Sequence, residues 1–198
     1  MSVTRSLQSA KQALRKDLKS RLRKMTKEDR INQSKTIFQK LISTEVFKKS
    51  RTLSLYLSMP SEVHTNDLLT HCFSAGKKCF IPQYTEDNMK MVLIKDQADY
   101  DSLPVTAWNI KQPADNDDQR LDIMDEGNLD LIVVPGLGFT RSGLRLGRGK
   151  GYYDNYFRKY EEKFGQKPYL VGLAYSCQMV ENLPADEFDI PLDEVLSP

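Results

Sequence analysis

Six of the ten glycines in the chain fall between residues 136 and 151, in a run that begins Gly136-Leu137-Gly138-Phe139 and ends Arg145-Leu146-Gly147-Arg148-Gly149-Lys150-Gly151-Tyr152-Tyr153-Asp154. Glycine lets a backbone take positive φ and approach a ligand closely. Successive amide N–H groups then form a concave anion-binding nest. A helix starting just afterwards adds its own free donors and the positive end of its dipole. Arg145, Arg148 and Lys150 bring full positive charge to the same place. This is the chemistry of polyphosphate binding. The run is not a Walker A loop, because Lys150 is followed by Gly151 rather than Ser or Thr. It is not a dinucleotide fingerprint either, since Gly147, Gly149 and Gly151 do not fit GxGxxG. A flexible basic loop, or an RGG-like contact with nucleic acid, uses the same residue types. Its position after a buried strand favours a ligand crevice.

That strand is the apolar stretch Leu129 to Val134, ended by Pro135. Tyr152 to Phe164 reads as the helix behind the glycines, with Gly165 as its stop. Upstream, Leu7, Leu14, Leu18, Leu22 and Met25 recur at helical spacing and form one apolar stripe. Thr26 and Asp29 resemble a capping box for a second helix that turns Ile31, Phe38, Leu41 and Ile42 inward. Thr52 to Leu57 reads as a strand, ended by Pro60 and Ser61. Thr65 is placed to cap a short helix closing at Gly76. Lys78 to Pro82, Met89 to Lys95, Tyr169 to Tyr175 and a short piece near Val195 are further strands, and residues 96–128 read mainly as loop. Alternating strands and helices predict one α/β domain over residues 1–198, with a largely parallel sheet flanked by helices.

Composition narrows the function. Hydrophobic residues at 39% and charged residues at 28% suit a globular protein. The longest aliphatic run, Leu131 to Val134, is far too short to span a membrane. Residues 1–24 are basic, with Asp17 their one acidic residue, but hold no apolar segment of the secretory kind. A cytoplasmic location is expected, with a mitochondrial pool left open. Cys72, Cys79 and Cys177 form no CxxC, which argues against a zinc site or a disulfide framework. His64 and His71 match no metal motif. Residues 1–30 carry ten Lys/Arg against three Asp/Glu, and residues 96–130 carry two against ten. The basic end fits an anionic ligand or a solvated helix face. A nucleic-acid module is disfavoured by the acidic remainder and by the lack of an aromatic RNA-binding signature.

Arg145 to Asp154, following a strand and Pro135 to Phe139, resembles the signature of the 5-formyltetrahydrofolate cyclo-ligase family. The likeness extends along nearly the whole chain. Lys11-Gln12-Ala13-Leu14-Arg15 resembles an N-terminal KxxxR that reaches nucleotide phosphates, and Leu57 to Glu62 looks like a segment that meets the folate. Phe80-Ile81-Pro82 and Trp108-Asn109-Ile110 also look similar, and Asp189 to Asp193 looks like the second acidic metal site. Gln83 departs from the family, where a basic residue often follows the Ile-Pro pair.

The resemblance implies a fold like that of ribose-phosphate isomerases and coenzyme A transferases. It also implies ATP, Mg²⁺ and (6S)-5-formyltetrahydrofolate as the molecules bound, with ADP, phosphate and 5,10-methenyltetrahydrofolate as products. A monomer with no nucleic-acid or membrane partner is expected, and use of polyglutamylated folate is left open. ATP then falls to Lys11, Arg15 and the run Arg145, Leu146, Gly147, Arg148, Gly149, Lys150, Gly151, Tyr152 and Tyr153. The folate falls to Leu57, Glu62, Arg148, Gly149, Lys150, Gly151 and Tyr152. Asp154 and Asp189 are expected to share the metal, with Asp193 the competitor for the second place. Lys150, Arg148 and Arg145 are the expected catalytic charges, Lys150 foremost. Tyr152 and Tyr153 either contact the pterin or belong to the core. A sugar-phosphate isomerase or acyl-CoA enzyme on the same fold is the rival, and consumption of ATP separates the two.

Overall fold

The computed structural model describes residues 2–85, 88–106, 110–114, 117 and 119–198, so Trp108 and Asn109 lie outside the described residues. The N-terminal apolar stripe forms one side of α1 (Ser2–Lys24), where Leu18 and Leu22 are fully packed. Lys11 lies on the same stripe, four positions from Leu7 and seven from Leu18, and is buried with it. Helical periodicity thus carries a charged group inward. The Thr26–Asp29 capping box is present and starts α2 (Lys27–Ser43). Its fully buried residues are Ser34, Ile37 and Leu41, whereas Ile31, Phe38 and Ile42 are half-buried, so the inner face is rotated from the expected one. A short α3 (Glu45–Lys49) leads into β1 (Thr52–Leu55), which stops two residues before Leu57.

Thr65 precedes α4 (Asn66–Ser74), but its side chain does not cap it. The hydroxyl donates instead to the Tyr56 carbonyl at 2.6 Å, tying the helix start back to the end of β1. β2 (Lys78–Tyr84) runs two residues past Pro82 and turns back into β3 (Met89–Ile94). The acidic stretch that follows is mostly irregular among its described residues, with two short helices, α5 (Gln97–Ser102) and α6 (Ile123–Glu126). Gln83 is buried and donates to the Ala114 carbonyl at 2.8 Å, so it ties β2 to this stretch.

β4 (Leu131–Val134) is buried at every position. Successive strand side chains point to opposite faces, so an all-apolar strand needs cover on both sides. Leu131 and Val133 join a core with α1, α2 and α4, while Ile132 and Val134 join another with α7 (Tyr152–Phe164). Between β4 and α7 lies a small antiparallel pair, β5 (Gly138–Phe139) and β6 (Arg145–Leu146). β7 (Tyr169–Leu173) and β8 (Glu194–Leu196) complete the sheet.

The strand order is β3-β2-β1-β4-β7-β8. All neighbours are parallel except β3, which is antiparallel to β2. From β1 the chain moves outward to β2 and β3, and from β4 it moves outward the other way to β7 and β8. The direction reverses between β1 and β4. Crevices that bind ligands in such sheets open at the carboxyl ends of strands beside this reversal. Among the described residues, no helix is long and apolar enough to cross a membrane.

Candidate active site

Two segments leave the carboxyl ends of β1 and β4 at the reversal. One holds Leu57 to Glu62 and the other is the glycine-rich run. The run is not a floppy loop: the β5–β6 pair is its first half, closed by the Leu137 N–H donating to the Leu146 carbonyl at 2.8 Å. It is wedged between α1 and the C-terminal segment. A Cβ on Gly138 would lie 2.5 Å from the Leu18 side chain, and one on Gly143 would lie 2.2 Å from the Leu192 carbonyl oxygen. Gly143 also has φ +89°, where side chains are strained. The second half, residues 147–151, is open to solvent or nearly so. Gly151, at φ +72°, turns the chain into α7, leaving the first N–H groups of that helix without intrahelical partners.

The three cations of the run have different roles. Arg145 is sunk to 5% side-chain exposure. It pairs with Asp154 at 2.7 Å, donates to the Pro135 carbonyl at 3.3 Å and lies over the Tyr153 ring. Arg148 is partly exposed and reaches across the crevice to Glu62 Oε1, with Nη2 at 2.9 Å and Nε at 3.2 Å. The other oxygen of the buried Glu62 accepts from the Met59 N–H at 2.9 Å. Lys150 is exposed and makes no hydrogen bond or ion pair among the described residues.

The N-terminal helix delivers Arg15 and Lys11 to the same crevice. Arg15 donates to the Gly147 carbonyl at 2.9 Å, and its guanidinium carbon lies 3.5 Å from where a Gly149 Cβ would sit. Lys11 pairs with Asp189 at 2.6 Å and with Asp186 at 2.7 Å. Burial pulls the Lys11 pKa down, but hydrogen bonds to Asp186 and Asp189 outweigh it and hold the ammonium above its ordinary value. The Lys11 hydrogen bond in turn holds Asp186 below the usual carboxylate range. Asp154 accepts from the Ile190 N–H at 3.2 Å, which brings the main chain next to Asp189 against the start of α7. Asp193 is engaged elsewhere, accepting from the Leu170 N–H at 2.8 Å and pairing with Lys167 at 3.4 Å.

Leu57, Leu146 and Tyr153 are buried, and Tyr152 is half-buried with its hydroxyl donating to the Thr85 carbonyl at 3.2 Å. The Tyr84 hydroxyl donates to that of Tyr153 at 3.3 Å. Burial pushes the Tyr84 pKa up to about 12, against the lowering effect of this hydrogen bond, so it is a neutral donor at physiological pH.

Three residues at the site carry no signal in the sequence. Asp186 is one of several acidic residues near the C-terminus until the fold brings it onto Lys11. In the sequence Tyr175 reads as the last residue of a strand and Gln178 as an ordinary residue beyond it, whereas the strand stops at Leu173. Both are buried, and their polar ends reach the backbone of the two crevice segments at Glu62 and Gly136.

The 5-formyltetrahydrofolate cyclo-ligase family model matches residues 7–198. The chain is 42% identical over 193 residues to a 5-formyltetrahydrofolate cyclo-ligase of Mus musculus, covering 96% of this chain and 95% of that protein. It is 37% identical to a probable 5-formyltetrahydrofolate cyclo-ligase of Caenorhabditis elegans, covering 96% and 94%. The solved structure of the 5,10-methenyltetrahydrofolate synthetase of Aquifex aeolicus superposes with a TM-score of 0.75 at 33% identity, covering 93% of this chain and 88% of that one. With its glycine-rich run, its reversal-point crevice and these relatives, the chain belongs to the 5-formyltetrahydrofolate cyclo-ligase family.

Proposed function

We propose that the crevice beside β1 and β4 closes 5-formyltetrahydrofolate to 5,10-methenyltetrahydrofolate at the expense of ATP, with the glycine-rich run holding the phosphates and Glu62 holding the folate. The observation that supports this division is the Arg148–Glu62 contact at 2.9 Å. It shows that a cation of the phosphate-type loop and a carboxylate of the opposite segment are within one side chain's reach.

A formamide carbon is a poor electrophile, because amide resonance, with its rotation barrier of ~18–20 kcal/mol, places electron density on oxygen. The formyl oxygen therefore attacks the γ-phosphorus of ATP, and ADP leaves. The imino-phosphate formed has an electrophilic carbon. N10 adds to that carbon, loses its proton, and inorganic phosphate departs with the C–O bond. The protein's part is positioning and charge stabilisation. Lys150 has no competing partner among the described residues and is the charge left for the transferring phosphoryl group. The amides of residues 147–151 and the start of α7 receive phosphate oxygens. Arg148 turns from Glu62 to the phosphates as the pterin N–H groups take over the carboxylate. Arg15 braces the Gly147 carbonyl.

Asp154 and Asp189 are hard oxygen donors beside this cradle, the kind that Mg²⁺ takes together with phosphate oxygens and water. Each already pairs with a cation, Asp154 with Arg145 and Asp189 with Lys11, so a metal would have to share or displace those pairs. A bound Mg²⁺ would neutralise β- and γ-phosphate charge.

The pure protein mixed with 5-formyltetrahydrofolate should form the methenyl product, followed by its absorbance, only when ATP and a divalent cation are both present. Ring closure above the uncatalysed rate without nucleotide would overturn the reading. Glu62→Gln is expected to weaken folate binding about tenfold or more, the scale of a lost charged hydrogen bond. Affinity for a non-hydrolysable ATP analogue should hold or rise, because Arg148 loses its competing partner. Calorimetry with each ligand checks this, and equal loss of both affinities argues against the division.

A further inference from the structure

We infer that Tyr175 and Gln178 are positioning residues that set the distance between the folate side and the ATP side of the crevice. They occupy the turn after β7, the strand next to β4 on the side away from β1. Tyr175 is fully buried, and its hydroxyl donates to the Glu62 carbonyl at 2.7 Å. The same hydroxyl lies 3.2 Å from Ser34 Oγ, which accepts from the His64 N–H at 3.1 Å. These bonds fix the backbone on which the Glu62 carboxylate is mounted. Gln178 is 2% exposed, and its Nε2 donates to the Gly136 carbonyl at 2.8 Å, at the root of the glycine-rich run. Its Oε1 accepts from the Tyr175 N–H at 2.8 Å. One short turn thus grips both crevice segments and joins its two grips to each other.

The Arg148–Glu62 pair also spans the crevice, but it must open when the folate takes Glu62. The Tyr175–Gln178 clasp uses the Glu62 and Gly136 backbone carbonyls rather than the Glu62 carboxylate, so it need not open when the folate takes that carboxylate. Attack of the formyl oxygen on phosphorus depends on the separation of two molecules held by two different segments. Misplacement by about 1 Å can slow such a step as much as ~10²-fold. Neither residue touches a reacting atom. Their effect runs through the frame, and it rests on the reading that Glu62 meets the folate and the glycine-rich run meets ATP.

This role has a kinetic signature. Tyr175→Phe keeps the ring and removes the hydroxyl. Each half-site stays intact, so calorimetric Kd values for 5-formyltetrahydrofolate alone and for a non-hydrolysable ATP analogue alone should each move by less than about twofold, while kcat per active site falls roughly tenfold or more. Gln178→Met cuts the other grip and should show the same split. If it does not fold, Tyr175→Phe decides alone. A normal kcat per active site in Tyr175→Phe, with or without a lower Tm, overturns the proposal and leaves a structural hydroxyl. A loss accounted for by folate Kd alone overturns it too. Glu62→Gln separates this from the underlying assignment: weaker folate binding there with normal Tyr175→Phe turnover removes only the clasp, whereas unchanged folate binding in Glu62→Gln removes the assignment itself.

Discussion

Lys150→Ala is expected to lower kcat by about 10²–10³, the usual effect of removing one preorganised charge stabiliser from a transition state, while leaving the melting temperature unchanged. The second half follows from the structure. Lys150 stands exposed between Gly149 and Gly151 and makes no hydrogen bond or ion pair among the described residues, so truncation forfeits no packing or partner. Exposed substitutions away from structural features usually stay within about 0.5 kcal/mol. Steady-state turnover with saturating ATP and folate, beside a thermal melt, checks both halves. Normal turnover would show that another group stabilises the transferring phosphoryl. Affinity for the ATP analogue should fall less than kcat, since a contact made mainly in the transition state contributes little to ground-state binding.

Arg145→Ala should behave differently and cost the fold on the order of 3 kcal/mol, the scale of breaking a buried ion pair by removing one partner. Its guanidinium is almost wholly covered, and Asp154 is 19% exposed at the side chain, so the carboxylate left behind cannot be fully rehydrated. The low end of the range applies because Asp154 keeps that access to water and accepts from the Ile190 N–H. Arg148→Ala serves as the contrast. Its own side chain is 37% exposed, but the Glu62 carboxylate it leaves is 9% exposed and keeps the Met59 N–H. The cost should therefore exceed that of a surface pair, at about 1–2 kcal/mol, and stay below that of Arg145→Ala. Denaturant melts of the two variants check this, and equal stabilities would refute the buried-anchor role. Three cations that share one catalytic reading in the sequence, with Lys150 foremost, are thereby divided into an anchor, a crossing contact and a charge with no partner among the described residues.

The elements around the site were legible because each has a local cause. Gly165 ends α7 at φ +70°, as a C-terminal glycine does, and the Thr26–Asp29 box starts α2 through contacts three residues apart. The double-sided burial of β4 follows from four apolar residues in succession. Where reading failed, a distant partner had intervened. The Thr65 hydroxyl was expected to cap α4 but found the Tyr56 carbonyl nine residues back. The inner face of α2 is set by packing at Ile37 and Ser34 rather than by its largest apolar residues, and Ser34 is drawn inward by Tyr175 and the His64 N–H. The β5–β6 pair was hidden in what read as a single loop, because two-residue strands carry no period.

By itself the sequence determined that a phosphate-type glycine run follows a buried strand and precedes a helix, because backbone freedom, charge and helix punctuation are local properties. Tertiary structure decided which charges remain free. Lys11 meets Asp186 and Asp189 across 175 and 178 positions, and Arg148 meets Glu62 across 86. A charged side chain is silent about its partner until the sheet order places two distant segments at one reversal point. Whether it is an anchor or a catalyst depends on how much water the surrounding packing leaves it, a property of the folded chain and not of the residue.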